Sequence, residues 1–268
     1  MKNPSLKPIY RGALLIGLGY ILLTAVIFLF QDKLIFQGDT LATNYQYNFE
    51  QPFEEVMING RDGNDIHGLI FTPASGQAKG TMLYFHGNAD NLQRWGNYAV
   101  DFTSLGYKVL IIDYAGYGKS TGSPSEDVLY QNAEDTWQWA QQNLPDTNLV
   151  IYGRSLGTAV AAHLAMLHQP NQLILETPFY ELKQDHLSIF FPFGLNHKFA
   201  NYKYLPQVKC PITIIQGTND WVVTYSSAQK LVPLLKPKDR FITIEGGGHK
   251  NLREFDKYHI ELARAPDQ

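Results

Sequence analysis

The sequence predicts an α/β protein: a mostly parallel, doubly wound sheet of about eight strands with a short cap insertion, behind one apolar N-terminal helix. Three observations lead there. Continuous apolar runs such as Val109-Leu110-Ile111-Ile112 need cover on both faces, as the strands of a parallel sheet do. Those runs alternate with stretches of helical pattern. Gly12 to Phe30 is uncharged and nearly all apolar.

At about 1.5 Å per helical residue, Gly12 to Phe30 reaches about 28 Å, close to the thickness of a bilayer core. Three readings compete. A cleaved signal peptide would have a shorter apolar region ending in small residues, whereas this one ends in Phe28-Leu29-Phe30-Gln31-Asp32-Lys33. A buried soluble helix would seldom lack a polar face altogether. An uncleaved anchor (a signal-anchor) is the reading the residues favour. Lys2, Lys7 and Arg11 precede the run, and Lys33 beside Asp32 follows it. That excess orients the N-terminus to the cytoplasm and the large domain to the opposite, extracytoplasmic face. The expected organisation is a cytoplasmic segment 1–11, a single-pass transmembrane anchor 12–30, a polar and aromatic connector 31–50, and one domain over 51–268.

Within that domain, Glu54–Asn59 and Asp65–Thr72 flank the turn Gly60-Arg61-Asp62-Gly63 and read as a hairpin. Strands follow at Thr81–Phe85, Lys108–Asp113, Asn148–Tyr152, Gln172–Glu176, Pro211–Gln216 and Arg240–Glu245. Helices are expected at Asn91–Ser104, Ser123–Asn143, Ser155–His168, Ser226–Leu235 and Asn251–Ala263. Pro178 to Pro206 breaks the rhythm and is dense in aromatics. A connection this long is usually functional or a small insertion, and it reads as a cap over a site.

Composition excludes several classes. The net charge is −3 and no long run of Lys or Arg occurs, so no nucleic-acid partner is expected. Cys210 is the single cysteine, which rules out an intrachain disulfide. No Cys-x-x-Cys or His-Glu-x-x-His pattern points to a metal, and no cofactor is expected.

The chemistry is carried by Gly153-Arg154-Ser155-Leu156-Gly157, a G-x-S-x-G pattern. A strand enters it and the helical run Thr158-Ala159-Val160-Ala161-Ala162 leaves it. That is the strand–turn–helix of a nucleophile elbow, which exposes the serine hydroxyl at a helix N-terminus. A serine hydroxyl is a weak nucleophile until a base removes its proton. Of eight histidines, His249 follows the last strand and the flexible Gly246-Gly247-Gly248 run, where an imidazole can reach over the elbow. His163 and His168 lie in the helix after the nucleophile, pointing away from it; His67, His186, His197 and His259 read as structural or solvated.

The acid that orients the base is expected to be Asp220, after the strand Ile212-Thr213-Ile214-Ile215, with Glu176 as rival. The order Ser, Asp, His is that of α/β-hydrolases. The oxyanion donors are expected to be the backbone N–H groups of Leu156 and Asn88, the latter in the His86-Gly87-Asn88 loop with Ala89 as the competing neighbour. His86 is expected to anchor that loop, and Asp113 to fix the loop Tyr114–Gly118.

These segments carry a family resemblance. Phe85-His86-Gly87-Asn88-Ala89, Asp113-Tyr114-Ala115-Gly116-Tyr117-Gly118-Lys119-Ser120, Gly122-Ser123-Pro124-Ser125-Glu126, Tyr152-Gly153-Arg154-Ser155-Leu156-Gly157 and Gly246-Gly247-Gly248-His249 resemble the membrane-anchored α/β-hydrolase-domain proteins. That family stands close to the serine aminopeptidase-like hydrolases, and its branch includes protein depalmitoylases. The likeness runs from about Phe30 to Leu262, and Gln31-Asp32-Lys33-Leu34-Ile35-Phe36 looks like the family's post-anchor segment. It implies the α/β-hydrolase fold and serine catalysis at the three positions above. Two departures are Ala115, where an arginine is common, and Glu176-Thr177-Pro178-Phe179 in place of an Asn-Thr-Phe form.

The leading expectation is therefore a membrane-tethered hydrolase of carboxylic esters or thioesters, with lipid or lipidated protein among its acyl substrates. An aminopeptidase or amidase of the same fold, and a silent binding module, are the alternatives. Phe190 and Phe191 in the expected cap line an acyl site, rest on the bilayer, or pack on the cap's own core.

Overall fold

A computed structural model describes residues 7–144, 148–182 and 195–267. The chain enters through a long helix, α1 (Lys7–Leu29). Leu14, Leu15 and Ile16 of α1 stand exposed, and 6% of its most apolar window in Tyr10–Leu29 is buried, so α1 is not a core helix. Near its end, Ile27 packs against the domain core.

A short helix α2 (Gln31–Ile35) and a two-residue strand β1 (Gln37–Gly38) follow without a break. The hairpin is β2 (Phe53–Asn59) and β3 (Asp65–Phe71). Then come β4 (Thr81–Phe85), β5 (Ala89–Asp90), α3 (Leu92–Trp95), α4 (Val100–Thr103) and β6 (Lys108–Ile112). The chain continues through α5 (Glu126–Asn143), β7 (Leu149–Arg154), α6 (Gly157–His168) and β8 (Gln172–Glu176). It ends with α7 (Asn201–Tyr204), β9 (Ile212–Gly217), α8 (Tyr225–Gln229), β10 (Arg240–Ile244) and α9 (Asp256–Arg264).

Among the described residues, eight strands form one sheet in the order β10-β9-β8-β7-β4-β6-β3-β2. From β10 to β6 all pairs are parallel; β3 and β2 join antiparallel. The parallel strands are apolar throughout because their alternating side chains fill two cores. Leu83, Phe85, Ile151, Leu173 and Ile214 pack with Leu129, Ala133 and Ala159 of α5 and α6 on one face. Met82, Tyr84, Val150, Tyr152 and Ile174 pack with Leu92, Phe102 and Leu262 of α3, α4 and α9 on the other. β4 and β7 sit in the middle, so the end of β7 at Arg154 opens over the centre of the sheet.

Three expected helices are broken. The stretch 91–104 divides at a 3-10 turn over Gly96–Tyr98, where Gly96 lies so close to the Phe49 ring that a side chain would collide with it. The stretch 226–235 divides because Pro233 cannot continue α8 and starts a 3-10 turn instead. The stretch 251–263 starts as a 3-10 turn and becomes α9 only after Phe255, whose backbone is extended. A second small sheet, β1 paired in parallel with β5, had no counterpart in the sequence reading.

Candidate active site

β7 ends at Arg154 and α6 begins at Gly157, which leaves a very tight turn. Ser155 turns it with φ of +52°, in the left-handed region that costs a side-chain-bearing residue about 1–3 kcal/mol. Two close approaches allow the turn. A Cβ on Gly153 would run into the Gly157 carbonyl, and one on Gly157 would run into the carbonyls of Phe85 and His86. Ser155 N donates to Glu176 O on β8 at 2.9 Å, and Ser155 O accepts from Thr158 N at 2.9 Å. The hydroxyl is held out from the sheet, half-buried.

Two loops at the same edge converge on it. After β10, His249 brings Nε2 to 3.0 Å from Ser155 Oγ. After β9, Asp220 brings Oδ2 to 2.8 Å from His249 Nδ1. Asn219 N donates to Gly247 O at 2.8 Å and binds the two loops together. The Asp220 side chain is fully buried and the His249 side chain is 14% exposed. Asp220 is held in that setting by further bonds: Oδ1 accepts from the N–H groups of Val222 at 2.9 Å and Val223 at 2.8 Å. With Nδ1–H given to the carboxylate, Nε2 presents its lone pair to the serine hydroxyl.

The rival acid Glu176 faces elsewhere. It accepts from Tyr152 Oη and, at 2.8 Å, from Tyr258 Oη, and its Oε1 lies 3.0 Å from Arg154 Nε. All of this is buried. Burial works against the Arg154 charge, but Glu176 and the tyrosines around it outweigh that and hold its pKa above the ordinary value.

The loop after β4 lies against the elbow: a Cβ added at Gly87 would sit 3.6 Å from Ser155 Cβ. Its carbonyls are all taken by donors. His86 O accepts from Tyr114 Oη at 2.9 Å, and Asn88 O from Tyr117 Oη at 2.9 Å and Gln37 N at 2.9 Å. Ala89 O accepts from Trp95 Nε1 at 2.7 Å. Gly87 O lies 2.7 Å from His86 Nδ1, which donates to it. His86 is sealed between the Trp95 ring and Tyr114, with Nε2 3.4 Å from Asp113 Oδ1. Burial pushes the Asp113 carboxyl above the usual range, and His86 partly offsets that. Leu156, the other expected donor, is buried at the N-cap of α6.

Comparisons with known proteins place the chain among α/β serine hydrolases. The family model described as serine aminopeptidase, S33, matches residues 76–205. The alpha/beta hydrolase domain-containing protein 17B of Homo sapiens is 28% identical over 84% of this chain and 80% of its own. The lysophosphatidylserine lipase ABHD12 of Macaca fascicularis is 32% identical over 76% of this chain, which spans 59% of that longer protein. An esterase of Pyrococcus furiosus superposes with a TM-score of 0.69 over 87% of this chain and 97% of its own, at 16% identity. The chain is a serine hydrolase of the α/β-hydrolase fold.

Other histidines of the hydrolase serve its framework. His163 stacks on Tyr130 at 4.1 Å, and His168 on Trp137 at 5.3 Å. His67 pairs with Glu55 at 2.8 Å, His197 with Asp32 at 2.9 Å, and His259 with Arg253 O at 2.7 Å. His186, Phe190 and Phe191 lie outside the described residues.

Sequence reasoning missed the support behind the hydrolase elbow. Arg154 spans it: besides Glu176 it donates through Nη2 to His249 O at 3.2 Å, and its guanidinium lies over the Tyr98 ring at 4.6 Å. The available signal was an arginine beside a serine in a strand end, with a glutamate ending the next strand. Ala115, the departure from the family pattern, is buried and its N–H is held by Asn132 Oδ1 at 2.9 Å.

Proposed function

We propose that this chain is a membrane-anchored hydrolase that cleaves carboxylic esters or thioesters, using Ser155 as nucleophile, His249 as base and Asp220 as the acid that orients it. The observation that carries the reading is the unbroken line of hydrogen bonds, Ser155 Oγ to His249 Nε2 at 3.0 Å and His249 Nδ1 to Asp220 Oδ2 at 2.8 Å. The lipase and esterase among the similar proteins support the ester class.

As Oγ bonds to the acyl carbon, His249 Nε2 takes the hydroxyl proton and the carbonyl electron pair moves onto oxygen. The N–H groups of Leu156 and Asn88 are the donors assigned to that oxyanion. The C–O or C–S bond then breaks, and His249 returns its proton to the leaving alcohol or thiol. Water repeats the sequence on the acyl-enzyme, which frees the acid and restores Ser155. Asp220 holds the ring in place and stabilises the imidazolium.

The anchor rests on α1, whose Tyr10–Leu29 stretch has a mean hydropathy of 2.4 and 20 residues, enough to cross a bilayer. With Lys2, Lys7 and Arg11 on the cytoplasmic side, the hydrolase domain lies on the other face. The family description, serine aminopeptidase, favours a second reading as an amidase. One experiment separates these: a fluorophosphonate probe on wild type and Ser155→Ala, followed by turnover on a panel of acyl esters, thioesters and aminoacyl amides. Equal labelling of the two proteins defeats the nucleophile assignment, and turnover confined to amides defeats the ester reading.

A further inference from the structure

Between the apolar helix and the hydrolase domain the chain has no free linker. Gln31 is 1% exposed; its Nε2 donates to Phe28 O at 2.8 Å and its Oε1 accepts from Asn196 N at 2.8 Å. Asp32 holds His197 at 2.9 Å, and Phe36 packs edge-on against His197 and Phe199 at 5.1 and 6.1 Å. The next residues run into the loop after β4. Gln37 N donates to Asn88 O at 2.9 Å, and Asn88 Nδ2 donates to Ile35 O at 3.0 Å. Asp39 N donates to Asp90 O at 3.3 Å, and Asp39 O accepts from Asn91 Nδ2 at 3.2 Å and Gly118 N at 2.9 Å.

Asn88 is thus gripped by this stretch at both its main-chain carbonyl and its side-chain amide. Beside it, the Gly87 carbonyl is held by His86. Among the described residues no peptide bond is cis, and a trans peptide points its N–H opposite to its carbonyl. Fixing the Gly87 carbonyl therefore aims the Asn88 N–H away from His86, and fixing Asn88 itself keeps that peptide from rocking. Donors of this kind accelerate a reaction only if they are aimed before the charge develops; removal of one costs about 10²–10³ in turnover. A shift of about 1 Å in a positioned group can cost about 10²-fold.

We infer that Ile35–Asp39, the segment directly after the apolar helix, is a positioning element of the active site that aims the Asn88 loop at the oxyanion. This rests on the reading of that loop as an oxyanion donor. Gln37 acts through its main chain, so its side chain, which is exposed, is dispensable.

The test is made on the full chain in detergent, with a short soluble ester. Gln37→Pro removes the N–H donor and the side-chain bond from Nε2 to Leu34 O at 3.0 Å, and Gln37→Ala removes only the latter; Phe36 before it is extended, with φ −99° and ψ 99°, as a residue before proline is. The expected result is a fall in kcat of about tenfold or more, with KM unchanged and the same pH profile, because the Ser155–His249–Asp220 line is not touched. Gln37→Ala restores the N–H and, with it, the lost turnover. Asn88→Ala, which keeps every N–H but loses the bond to Ile35 O, lowers kcat several-fold in the same way, and decides the matter by itself if the proline variant does not fold. Wild-type kcat in Gln37→Pro and Asn88→Ala, a loss shared by Gln37→Ala, or a loss confined to KM overturns the inference. Gly87→Val separates this from the underlying reading, since its methyls press on Ser155 and Trp95. If Gly87→Val loses turnover while Gln37→Pro keeps it, the loop matters and the connector does not. If Gly87→Val also keeps turnover, the oxyanion assignment itself falls.

Discussion

Arg154 and Glu176 form a buried ion pair directly behind Ser155, with Nε 3.0 Å from Oε1 and side chains 3% and 0% exposed. The pair joins the ends of β7 and β8, and Arg154 also holds the carbonyl of His249. The elbow and the base loop are therefore braced by the same guanidinium.

Removing one partner should be costly. Glu176→Gln leaves a buried arginine without its counter-charge, and a loss of about 3–5 kcal/mol in unfolding free energy is expected. Replacing both, as Arg154→Met with Glu176→Gln, should recover much of that, since the amide oxygen still accepts from Tyr152 and Tyr258 while no charge is left buried. Urea unfolding of the single and double variants measures it. A double variant less stable than either single one contradicts the account.

Asp220 and Glu176 should separate by kinetics. Asp220→Asn keeps the shape of the side chain, but with Oδ1 still accepting from Val222 and Val223 its amide nitrogen donates to His249 Nδ1 where Oδ2 accepted, which imposes the wrong tautomer and should lower kcat about 10⁴-fold with little change in stability. Ser155→Ala should lower it about 10⁶-fold. Turnover measured under conditions where each variant is fully folded decides between them; a larger kcat loss in Glu176→Gln than in Asp220→Asn would reverse the assignment of the acid.

Acid should loosen the α5–α6 face. Burial lowers the pKa of His163 below its ordinary value of about 6.5, with the carboxylates of Glu134, Glu126 and Asp127 pulling the other way more weakly; burial lowers His168 as well. Both rings are favoured neutral in the folded state and take up protons more readily when unfolded. Their contribution is present above about pH 6.5 and is lost as the pH falls below it toward the folded-state values. Melting temperature should therefore drop between pH 7.5 and 5.5, and His163→Phe should drop less. Equal slopes for the two proteins would show that other groups carry the effect.

Acyl length should matter if the aromatic insertion bounds the substrate. Each methylene buried contributes up to about 0.8 kcal/mol, or roughly fourfold in kcat/KM, until the pocket is full. Phe190→Ala with Phe191→Ala should flatten the rise and spare acetyl esters. The measurement is kcat/KM against chain length below each micelle limit. A steady decline beyond acetyl indicates a small pocket.

Much of the sheet could be read from residues because its strands are extreme: Val109–Ile112 and Ile212–Ile215 have no polar face to offer solvent. That Ser155, Asp220 and His249 would meet was legible because each follows a strand of a parallel sheet, and such strands end at one edge. The direction of Glu176 was not legible. A carboxylate ending β8 looks the same in sequence whether it turns to His249 or to Arg154, and only the tyrosines at 152 and 258 decide it. The β1–β5 pair was invisible for another reason: two residues carry no period. The segment 31–50 read as a connector because its order comes from bonds to distant loops, not from its own pattern.

A flexible tether lets an enzyme swing, with an end-to-end reach of about 5–6 Å times the square root of its length in residues. Here α2 starts at Gln31, right after α1 ends at Leu29, and Gln31 is already locked to Asn196. With α1 in a bilayer, the active site would ride the helix as one rigid lever. Helix tilt follows hydrocarbon thickness. Lipid composition would then set the height and angle at which Ser155 meets the surface, and bilayer thickness would become a variable that turnover can feel.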